Sequence, residues 1–336
     1  MSVFVASLKK SGHLDRIYMT LCNVGSRKVS PEDDYGNLGW SIFAPNLSIY
    51  GFDADADACD EANADLEYRQ VNWNENHIPL ALGKSVGEAT LYVTKNPMCS
   101  SLYLPKESYL QLFNQLPEVA SLDFSIEIET TTLDSFCESE AIEEIDFISL
   151  DVQGAELEVL EGASQIVSKS VLAVQAEVWF SEVYVNQPLF AEVDNYLRSQ
   201  GFTLFTLKAG CRSRARSPIT STANFGQLLW GDAFYLRDLL QEDITTPLKT
   251  PEKLFKLACL ADMLDFPDFS LQLLEHLTLH YGRNDSSYNF ANNIVESLVQ
   301  LPDLVNQGLD SLPIIKNIRD DITGDWLDLL EGRKSL

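Results

Sequence analysis

Short apolar runs alternate with longer amphipathic segments along the first two thirds of the chain. Seven runs have the length of a buried strand: "RIYMTLCNVG", "LSIYGFDA", "IPLALG", "IDFISLD", "VLAVQAEV", "FTLFTLK" and "DAFYLRD". Segments between them, such as "GAELEVLEGASQIV" and "PLFAEVDNYLRSQG", repeat apolar residues with helical spacing. This alternation predicts an α/β fold with a mostly parallel sheet and helices on both faces. The segment "GEATLYVT" alternates apolar and polar residues, which indicates an antiparallel strand at an exposed edge.

The pattern changes at "EDITTPLKTPEK", where prolines and threonine pairs interrupt the periodicity. Beyond it only helical patterns remain, in "EKLFKLACLADMLD", "FSLQLLEHLTLHYG" and "YNFANNIVESLVQ". We therefore predict an α/β domain over residues 1–240 and an all-helical C-terminal extension over residues 241–336. The first two helices could form one antiparallel hairpin, whereas helical repeats need roughly three units to stand alone. We expect the extension to pack on the α/β domain or on a second copy of the chain, giving a homo-oligomer through this tail.

The composition restricts the partners and the compartment. The chain has 50 acidic and 24 basic residues among 336, a formal net charge of −26, which disfavours nucleic acid and anionic lipid. No apolar window is long enough to span a membrane, and the N-terminus lacks a secretory pattern. The six cysteines form no CxxC pair, so neither a zinc site nor a disulfide framework is indicated. We expect a cytoplasmic protein with reduced thiols and no resident metal.

Two acids follow apolar strands at positions where such sheets bind ligands. Asp151 ends "IDFISLD" and Glu177 lies in "VQAEV". Ligands of open α/β sheets lie beyond the carboxyl ends of the strands, and an isolated buried carboxylate would be costly. If the two strands are neighbours, the pair could hold a divalent metal, orient a hydroxyl group or deprotonate one. A structural alternative is that Glu177 pairs with an arginine.

The turns after the first two strands suggest a nucleoside site. Gly25 could let the backbone approach a nucleoside or only relieve a tight turn, and Asp53 is placed to accept hydrogen bonds from ribose hydroxyls. A GxGxxG fingerprint is absent, which argues against a nicotinamide enzyme. A calcium loop starting at Asp53 is excluded because Ala58 and Ala64 occupy its glycine and glutamate positions. Asp55 and Asp57 then cap and charge the next helix.

Two further clusters carry open interpretations. The basic run "CRSRARS" could bind phosphate or carboxylate on a substrate, or be a solvated loop; its arginines are Arg212, Arg214 and Arg216. His276 and His280 have the i, i+4 spacing of a zinc pair, but no glutamate stands in HExxH register. We assign no metal there.

Several of these segments together resemble the FkbM-type methyltransferases. The signature is "IDFISLDVQGAELEVLEGA", accompanied by "CNVGSRKVSPEDDYG", "YGFDADADACDEAN" and "ALGKSVGEATLYVTKNPMCSSLYLP", and the resemblance covers roughly Leu14 to Asp238. It implies a Rossmann-like, mostly parallel seven-stranded sheet and S-adenosyl-L-methionine as cofactor. The positions it implies for cofactor binding are Asn23, Gly25, Asp53, Leu82, Ser101 and Asp151. The family usually has an acid where this chain has Asn23.

The resemblance implies O-methylation of a hydroxyl on a sugar, glycan or secondary metabolite. An alcohol acceptor needs a base, and Asp151 is the first candidate with Glu177 as the alternative. The other hypothesis is a nucleotide-binding or scaffolding protein that keeps the fold without turnover. The altered first motif favours the second hypothesis, whereas Asp53 and Asp151 favour the first.

Overall fold

The computed structural model describes residues 2–28, 34, 36, 38–242 and 246–330. Ten strands lie in this part of the chain: β1 (Met19–Val24), β2 (Leu47–Phe52), β3 (Asn74–Ile78), β4 (Ala81–Leu82), β5 (Gly87–Thr94), β6 (Leu122–Thr131), β7 (Phe147–Leu150), β8 (Ala173–Trp179), β9 (Thr203–Arg212) and β10 (Gln227–Leu236). The α-helices described are α1 (Val5–Lys10), α2 (Ala56–Arg69), α3 (Glu107–Leu110), α4 (Leu116–Ala120), α5 (Leu133–Ser139), α6 (Glu156–Gly162), α7 (Ser164–Lys169), α8 (Phe190–Ser199), α9 (Pro251–Met263), α10 (Pro267–Leu277), α11 (Ala291–Leu298), α12 (Pro302–Gln307), α13 (Pro313–Asn317) and α14 (Asp325–Leu330).

Seven strands form the main sheet in the order β3-β2-β1-β7-β8-β10-β9. The pairs β2–β3, β1–β7 and β7–β8 are parallel, whereas β10 runs antiparallel to both β8 and β9. Helices cover both sides of this sheet, so the predicted Rossmann-like fold class is confirmed, with β10 as the antiparallel member. Its centre is fully buried, as Ile148 and Val174 show.

A smaller sheet of three strands, in the order β4-β6-β5, lies apart from the seven-stranded one. β5 is antiparallel to β6 and occupies an edge, as its alternation predicted. The segment "IPLALG", predicted as a strand of the main sheet, instead contributes the two-residue β4 to this small sheet. The edge position of the main sheet belongs to β3, whose sequence "NENHI" has no strand-like apolar pattern. Pairing with β2 therefore outweighs its weak propensity.

The described residues divide into two compact units. One contains residues 20–34 and 48–238 and includes nearly all of the two sheets; the other contains residues 1–19, 35–47 and 239–336. The predicted boundary near residue 240 stays a prediction, since the second unit also includes N-terminal segments. None of the described helices is both long and apolar enough to cross a membrane.

The helical unit is stabilised by one buried acid. Asp262 of α9 is 1% exposed, and its carboxylate accepts hydrogen bonds from the backbone N–H groups of Val3, Phe4 and Val5, at 2.8, 2.8 and 2.9 Å. These groups belong to the first turn of α1 or precede it, where helix donors lack intrahelical partners. Asp262 therefore caps α1 from a helix about 260 residues away in sequence.

Candidate active site

A cavity of about 550 Å³ opens at the carboxyl ends of β1, β2 and β7. Five predicted cofactor positions line it: Gly25, Asp53, Leu82, Ser101 and Asp151. Asn23 lies one residue before the lining, in β1 opposite Ser149 of β7. Glu177 also lies outside the lining but is joined to it through a residue that the sequence analysis did not single out, Gln153.

The position of Gly25 has no room for a side chain, because the end of β7 lies against it. Its φ is +83°, and a Cβ there would lie 1.9 Å from the backbone oxygen of Asp151. The Gly25 N–H donates to the Phe52 oxygen at 2.8 Å, which ties the turn to the end of β2. The glycine thus lets the ends of β1 and β7 meet at the cavity floor.

The turn after Gly25 is fixed by a buried polar network. Ser26 Oγ lies 3.0 Å from His77 Nδ1, His77 Nε2 lies 3.1 Å from Glu75 Oε1, and Lys28 Nζ lies 2.6 Å from the same Glu75 oxygen. Burial raises the pKa of Glu75, but hydrogen bonds from His77, Lys28 and Trp73 outweigh it and lower the value to about 2. Ser26 is 2% exposed and is not a cavity residue, so this set is structural rather than a nucleophile and base.

Only part of the first motif can be placed. Residues 29–33 and 35, which belong to the motif "CNVGSRKVSPEDDYG", lie outside the described residues.

Asp53 presents its carboxylate at the end of β2. Its Oδ1 accepts a hydrogen bond from the Asp55 N–H at 2.9 Å, and burial raises the pKa of Asp53 above its ordinary value. Asp55 accepts from the N–H groups of Asp57 and Ala58 at 3.0 and 3.2 Å, which confirms that it caps α2. Arg27 forms an ion pair with Asp55.

The centre of the site is a side-chain amide between two carboxylates. Gln153 Nε2 donates to Asp151 Oδ1 at 2.6 Å and to Glu177 Oε2 at 2.7 Å. Gln153 Oε1 accepts from the Tyr184 hydroxyl at 2.9 Å, and that hydroxyl lies 2.8 Å from the Cys99 carbonyl oxygen. The Gln153 backbone is held at φ +55°. Each polar atom of the Gln153 side chain is thus used to position the two acids.

Ser101 is hydrogen-bonded to the turn that contains Gln153. It is 1% exposed, and its hydroxyl donates to the backbone oxygen of Gln153 at 2.7 Å while accepting from the Tyr103 N–H at 2.9 Å. Ser101 therefore helps to hold Gln153 in its left-handed conformation, which costs free energy for a residue with a Cβ.

The acids around Gln153 differ in exposure. Burial, and then the nearby charge of Asp151, raise the pKa of Glu177 well above its usual range. Burial raises the pKa of Glu156 to about 8, although its carboxylate accepts from the N–H groups of Val152 and Gly154. Asp151 is exposed. Burial therefore favours the protonated form of the two glutamic acids, while Asp151 faces the cavity.

These three carboxyl groups are close enough to one another to hold a cation. One oxygen from each of Asp151, Glu156 and Glu177 lies within 4.8 Å of the others. The Glu156 carboxylate, however, already serves the backbone of its own turn, and Glu177 is bound to an amide donor. Because hydrogen bonds within the protein already use both groups, we assign no metal here.

The cavity suits the nucleoside part of S-adenosyl-L-methionine. Its walls include Leu80 and Leu82, which can contact an adenine ring, and Asp53 supplies a carboxylate for ribose hydroxyls. The nearest strand ends carry Gly25 and Asp151. The residues present therefore fit the group that the resemblance implies.

Gln153, Tyr184 and Glu156 are the site residues that sequence reasoning missed. Gln153 and Glu156 stand inside "DVQGAE", so a reading of that segment as a turn with its own hydrogen-bond needs could have found them. Tyr184 lies beyond β8, where no periodicity marks it.

Comparison with known proteins identifies the domain. Residues 44–204 match the model of the methyltransferase FkbM domain. No curated protein matches the chain at a significant level.

Solved structures that are similar to this chain include three proteins described as methyltransferases. A SAM-dependent methyltransferase from Aquifex aeolicus has 11% identity and a TM-score of 0.29, with 70% of this chain and 90% of the other covered. A provisionally assigned RNA methyltransferase from Pyrococcus horikoshii has 8% identity and a TM-score of 0.30, with 69% and 82% covered. A provisionally assigned tRNA (m1A22) methyltransferase from Streptococcus pneumoniae has 10% identity and a TM-score of 0.32, with 94% and 98% covered.

The domain match bears out the predicted resemblance to the FkbM-type methyltransferases and agrees with S-adenosyl-L-methionine as the predicted cofactor. Residues 44–204, just under half of the chain, are therefore similar to the methyltransferase FkbM domain.

Proposed function

We propose that this protein transfers a methyl group from S-adenosyl-L-methionine to a hydroxyl oxygen of a sugar, glycan or secondary metabolite, with Asp151 as the base. The observation that supports this proposal best is the exposed Asp151 carboxylate, which lines the cavity at the end of β7 and accepts a hydrogen bond from Gln153 at 2.6 Å. A base has to lie within hydrogen-bond reach of the acceptor, and a carboxylate on the cavity wall is open to such a contact.

When bound, S-adenosyl-L-methionine supplies a methyl group that is already activated by its sulfonium charge. The protein then has to align the acceptor hydroxyl, exclude competing water and accept one proton. Alignment of two reactants can lower a barrier by ~7 to 11 kcal/mol, and a positioned base contributes a further ~10²- to 10⁴-fold. In this scheme the proton of the acceptor hydroxyl passes to Asp151 Oδ.

Glu177 is the weaker candidate for the base. It is 9% exposed, it does not line the cavity, and burial raises its pKa, which favours the protonated form. The protonated form of Glu177 would leave Asp151 as the single negative charge of the pair. We retain Glu177 as the base if substitution of Asp151 leaves turnover intact.

Cofactor binding is proposed for the residues around the cavity. Asp53 would accept the ribose hydroxyls, Gly25 and Leu82 would contact the nucleoside, and Ser101 would keep the Gln153 turn in place. Asn23 is outside the lining, so its contribution would be limited to the strand that leads to Gly25.

Calorimetry tests the cofactor part of the proposal. S-adenosyl-L-methionine and S-adenosyl-L-homocysteine should each bind the full chain with one-to-one stoichiometry. If neither binds at millimolar concentration, the enzyme proposal fails. Methyl transfer is then measured with labelled cofactor against a panel of sugars, glycans and polyhydroxylated metabolites.

A second candidate function is a nucleotide-binding or scaffolding protein without turnover. The asparagine at position 23, where the family usually has an acid, favours it. Cofactor binding without hydrolysis or transfer across the acceptor panel would support this candidate. The expected cytoplasmic location and the association through the helical tail also stay predictions; light scattering of the full chain tests the latter.

A further inference from the structure

Arg212 lies at the same end of the strands of the main sheet as the two acids. β8 and β9 are both antiparallel to β10, so they run in the same direction and their carboxyl ends point the same way. Across these strands Glu177, Asp232 and Lys208 form one row of paired residues. Arg212 follows Lys208 by four residues and therefore lies on the same face of the sheet.

A row of packed rings joins Arg212 to the residue that holds the carboxylate pair. The Arg212 guanidinium lies 4.6 Å from the centre of the Trp230 ring, which is partly exposed and packs over Gly210. The rings behind Trp230 are buried: Trp179 is 5% exposed and lies 6.0 Å from Trp230, and Tyr184 is 0% exposed and lies 5.6 Å from Trp179. Tyr184 donates to Gln153, the residue that holds Asp151 and Glu177. These rings therefore hold Arg212 in place relative to the acids, and Arg212 and Trp230 are the members of the row that a ligand can reach.

The three arginines of the basic run differ in their partners. Arg214 stacks on Phe113 at 4.7 Å and donates to Gln227 Oε1 at 2.6 Å, so its side chain is already engaged. Arg216 is exposed. Arg212 is half-buried and its Nη1 donates to the Cys211 backbone oxygen at 3.4 Å. Among the described residues it forms no ion pair with a carboxylate, and its Nε has no hydrogen-bond acceptor.

Within the part of the chain that the structure describes, no carboxylate neutralises Arg212. A partly desolvated charge without a counterion costs free energy. A guanidinium stacked on indole keeps its donors directed outward and matches the geometry of phosphate or carboxylate. The position is thus suited to an anionic ligand.

We propose that Arg212, held by Trp230, binds an oxyanion on the methyl acceptor, so that the acceptor class consists of hydroxyl compounds carrying a phosphate or carboxylate group. This inference rests on the proposed function. Lys208 is level with Glu177 in the row of paired residues, and Arg212 lies about 13 Å further along β9, at roughly 3.3 Å per residue. The anionic group and the reacting hydroxyl therefore lie at opposite ends of the acceptor. The net charge of −26 disfavours a polyanion as this ligand, because its remaining phosphates would be repelled.

The test uses matched aromatic probes on the full chain. Phenyl phosphate, phenylacetate and the neutral phenol are titrated at constant ionic strength while tryptophan fluorescence is recorded, since Trp230 and Trp179 lie beside Arg212. We expect at least one anionic probe to bind about tenfold more tightly than phenol, and the comparison of the two anions shows whether phosphate or carboxylate is preferred. Arg212→Met should weaken the binding of that anion by about tenfold or more, as for the loss of a charge-assisted hydrogen bond. Arg212→Gln is the milder variant if Arg212→Met does not fold.

Arg216→Met is the control, because it removes the same charge from an exposed position of the same segment. Equal affinity in the wild type and both Arg212 variants, or an equal loss in Arg216→Met, would overturn the proposal. S-adenosyl-L-methionine calorimetry on the same preparations keeps the two proposals separate. If the cofactor binds and the anion effect is absent, only the acceptor class is wrong. If the cofactor does not bind while the anion effect persists, the proposed reaction is wrong and the anion site remains.

Discussion

The carboxylates of Asp151 and Glu177 are joined by one amide group. Gln153 Nε2 donates to both of them, at 2.6 and 2.7 Å, and so holds the exposed acid and the buried acid at a fixed separation. An amide does not titrate, so this bridge persists while the acids change protonation. The arrangement makes Gln153 a positioning residue for the proposed base.

Replacing Gln153 with the shorter Asn should leave Asp151 and Glu177 without a shared hydrogen-bond donor. Asn tolerates positive φ better than most residues, so Gln153→Asn keeps the turn but is too short to reach both carboxylates. We expect kcat to fall about 10- to 100-fold, as for the loss of one or two hydrogen bonds to charged groups, with little change in cofactor affinity. Steady-state kinetics and calorimetry measure the two quantities. Gln165→Asn, on the exposed surface of α7, is the matched control, and an equal loss there would contradict a role for the bridge.

Asp151→Asn should separate catalysis from stability. The substitution keeps the shape of the side chain and removes the base, so turnover should fall ~10²- to 10⁴-fold while the melting temperature and cofactor affinity change little. Glu177→Gln, which replaces a buried acid of raised pKa with a neutral amide of the same shape, should have the smaller effect on turnover. The reverse order of the two variants would transfer the base role to Glu177.

Asp53→Ala should weaken cofactor binding without unfolding the protein. Each lost hydrogen bond from a ribose hydroxyl to the carboxylate is expected to cost roughly 1.5 to 3 kcal/mol of binding free energy. Calorimetry with S-adenosyl-L-homocysteine gives the dissociation constant. Asp60→Ala removes the same charge from an exposed position of α2 and should leave that constant unchanged. An unaltered constant in Asp53→Ala would exclude Asp53 from the ribose site.

Gly25→Ala should destabilise the fold rather than only the ligand site. Its Cβ would lie 1.9 Å from the Asp151 oxygen at φ +83°, so the ends of β1 and β7 would have to separate. Thermal unfolding should show a clear loss of stability in the absence of any ligand. A Cβ at Gly87 meets no atom within 4 Å, so Gly87→Ala should be close to neutral. A wild-type melting temperature in Gly25→Ala would show that the strand ends can move apart.

Glu156 should make stability depend on pH in the direction opposite to a paired surface acid. Its pKa is raised from 4.5 to about 8 in the folded protein, so above pH 4.5 the unfolded chain loses a proton that the folded chain keeps. Stability from this group is therefore complete below about pH 4.5 and is lost as pH rises through about 8. Glu156→Gln removes the titration. Between pH 5 and 8 the unfolding free energy of the wild type should therefore fall relative to that of the variant. Parallel pH curves in urea unfolding would contradict the raised pKa.

Much of the main sheet followed from pattern because its strands are buried. The runs that became β1, β2, β7, β8, β9 and β10 are rich in apolar residues, as central strands need to be. β3 escaped detection because "NENHI" is polar and lies at the sheet edge, where pairing with β2 determines its structure. β6 escaped because "LDFSIEIETT" forms a sheet with β5 across more than 25 intervening residues, a contact that no local window contains.

The sequence by itself determined the fold class, the acid at the end of β7, the acid at the end of β2 and the resemblance to the FkbM-type methyltransferases, because strand-end chemistry and short motifs are local. Only the tertiary structure decided that Gln153 bridges Asp151 and Glu177, that Glu177 is buried with a raised pKa, and that Arg212 lies on the same face beside Trp230. These relations depend on strand order and register, which bring Gln153 to Glu177, 24 positions away, and Arg212 to Trp230, 18 positions away. Burial then sets the protonation of each acid, since desolvation acts through the surrounding fold and leaves no mark in the sequence.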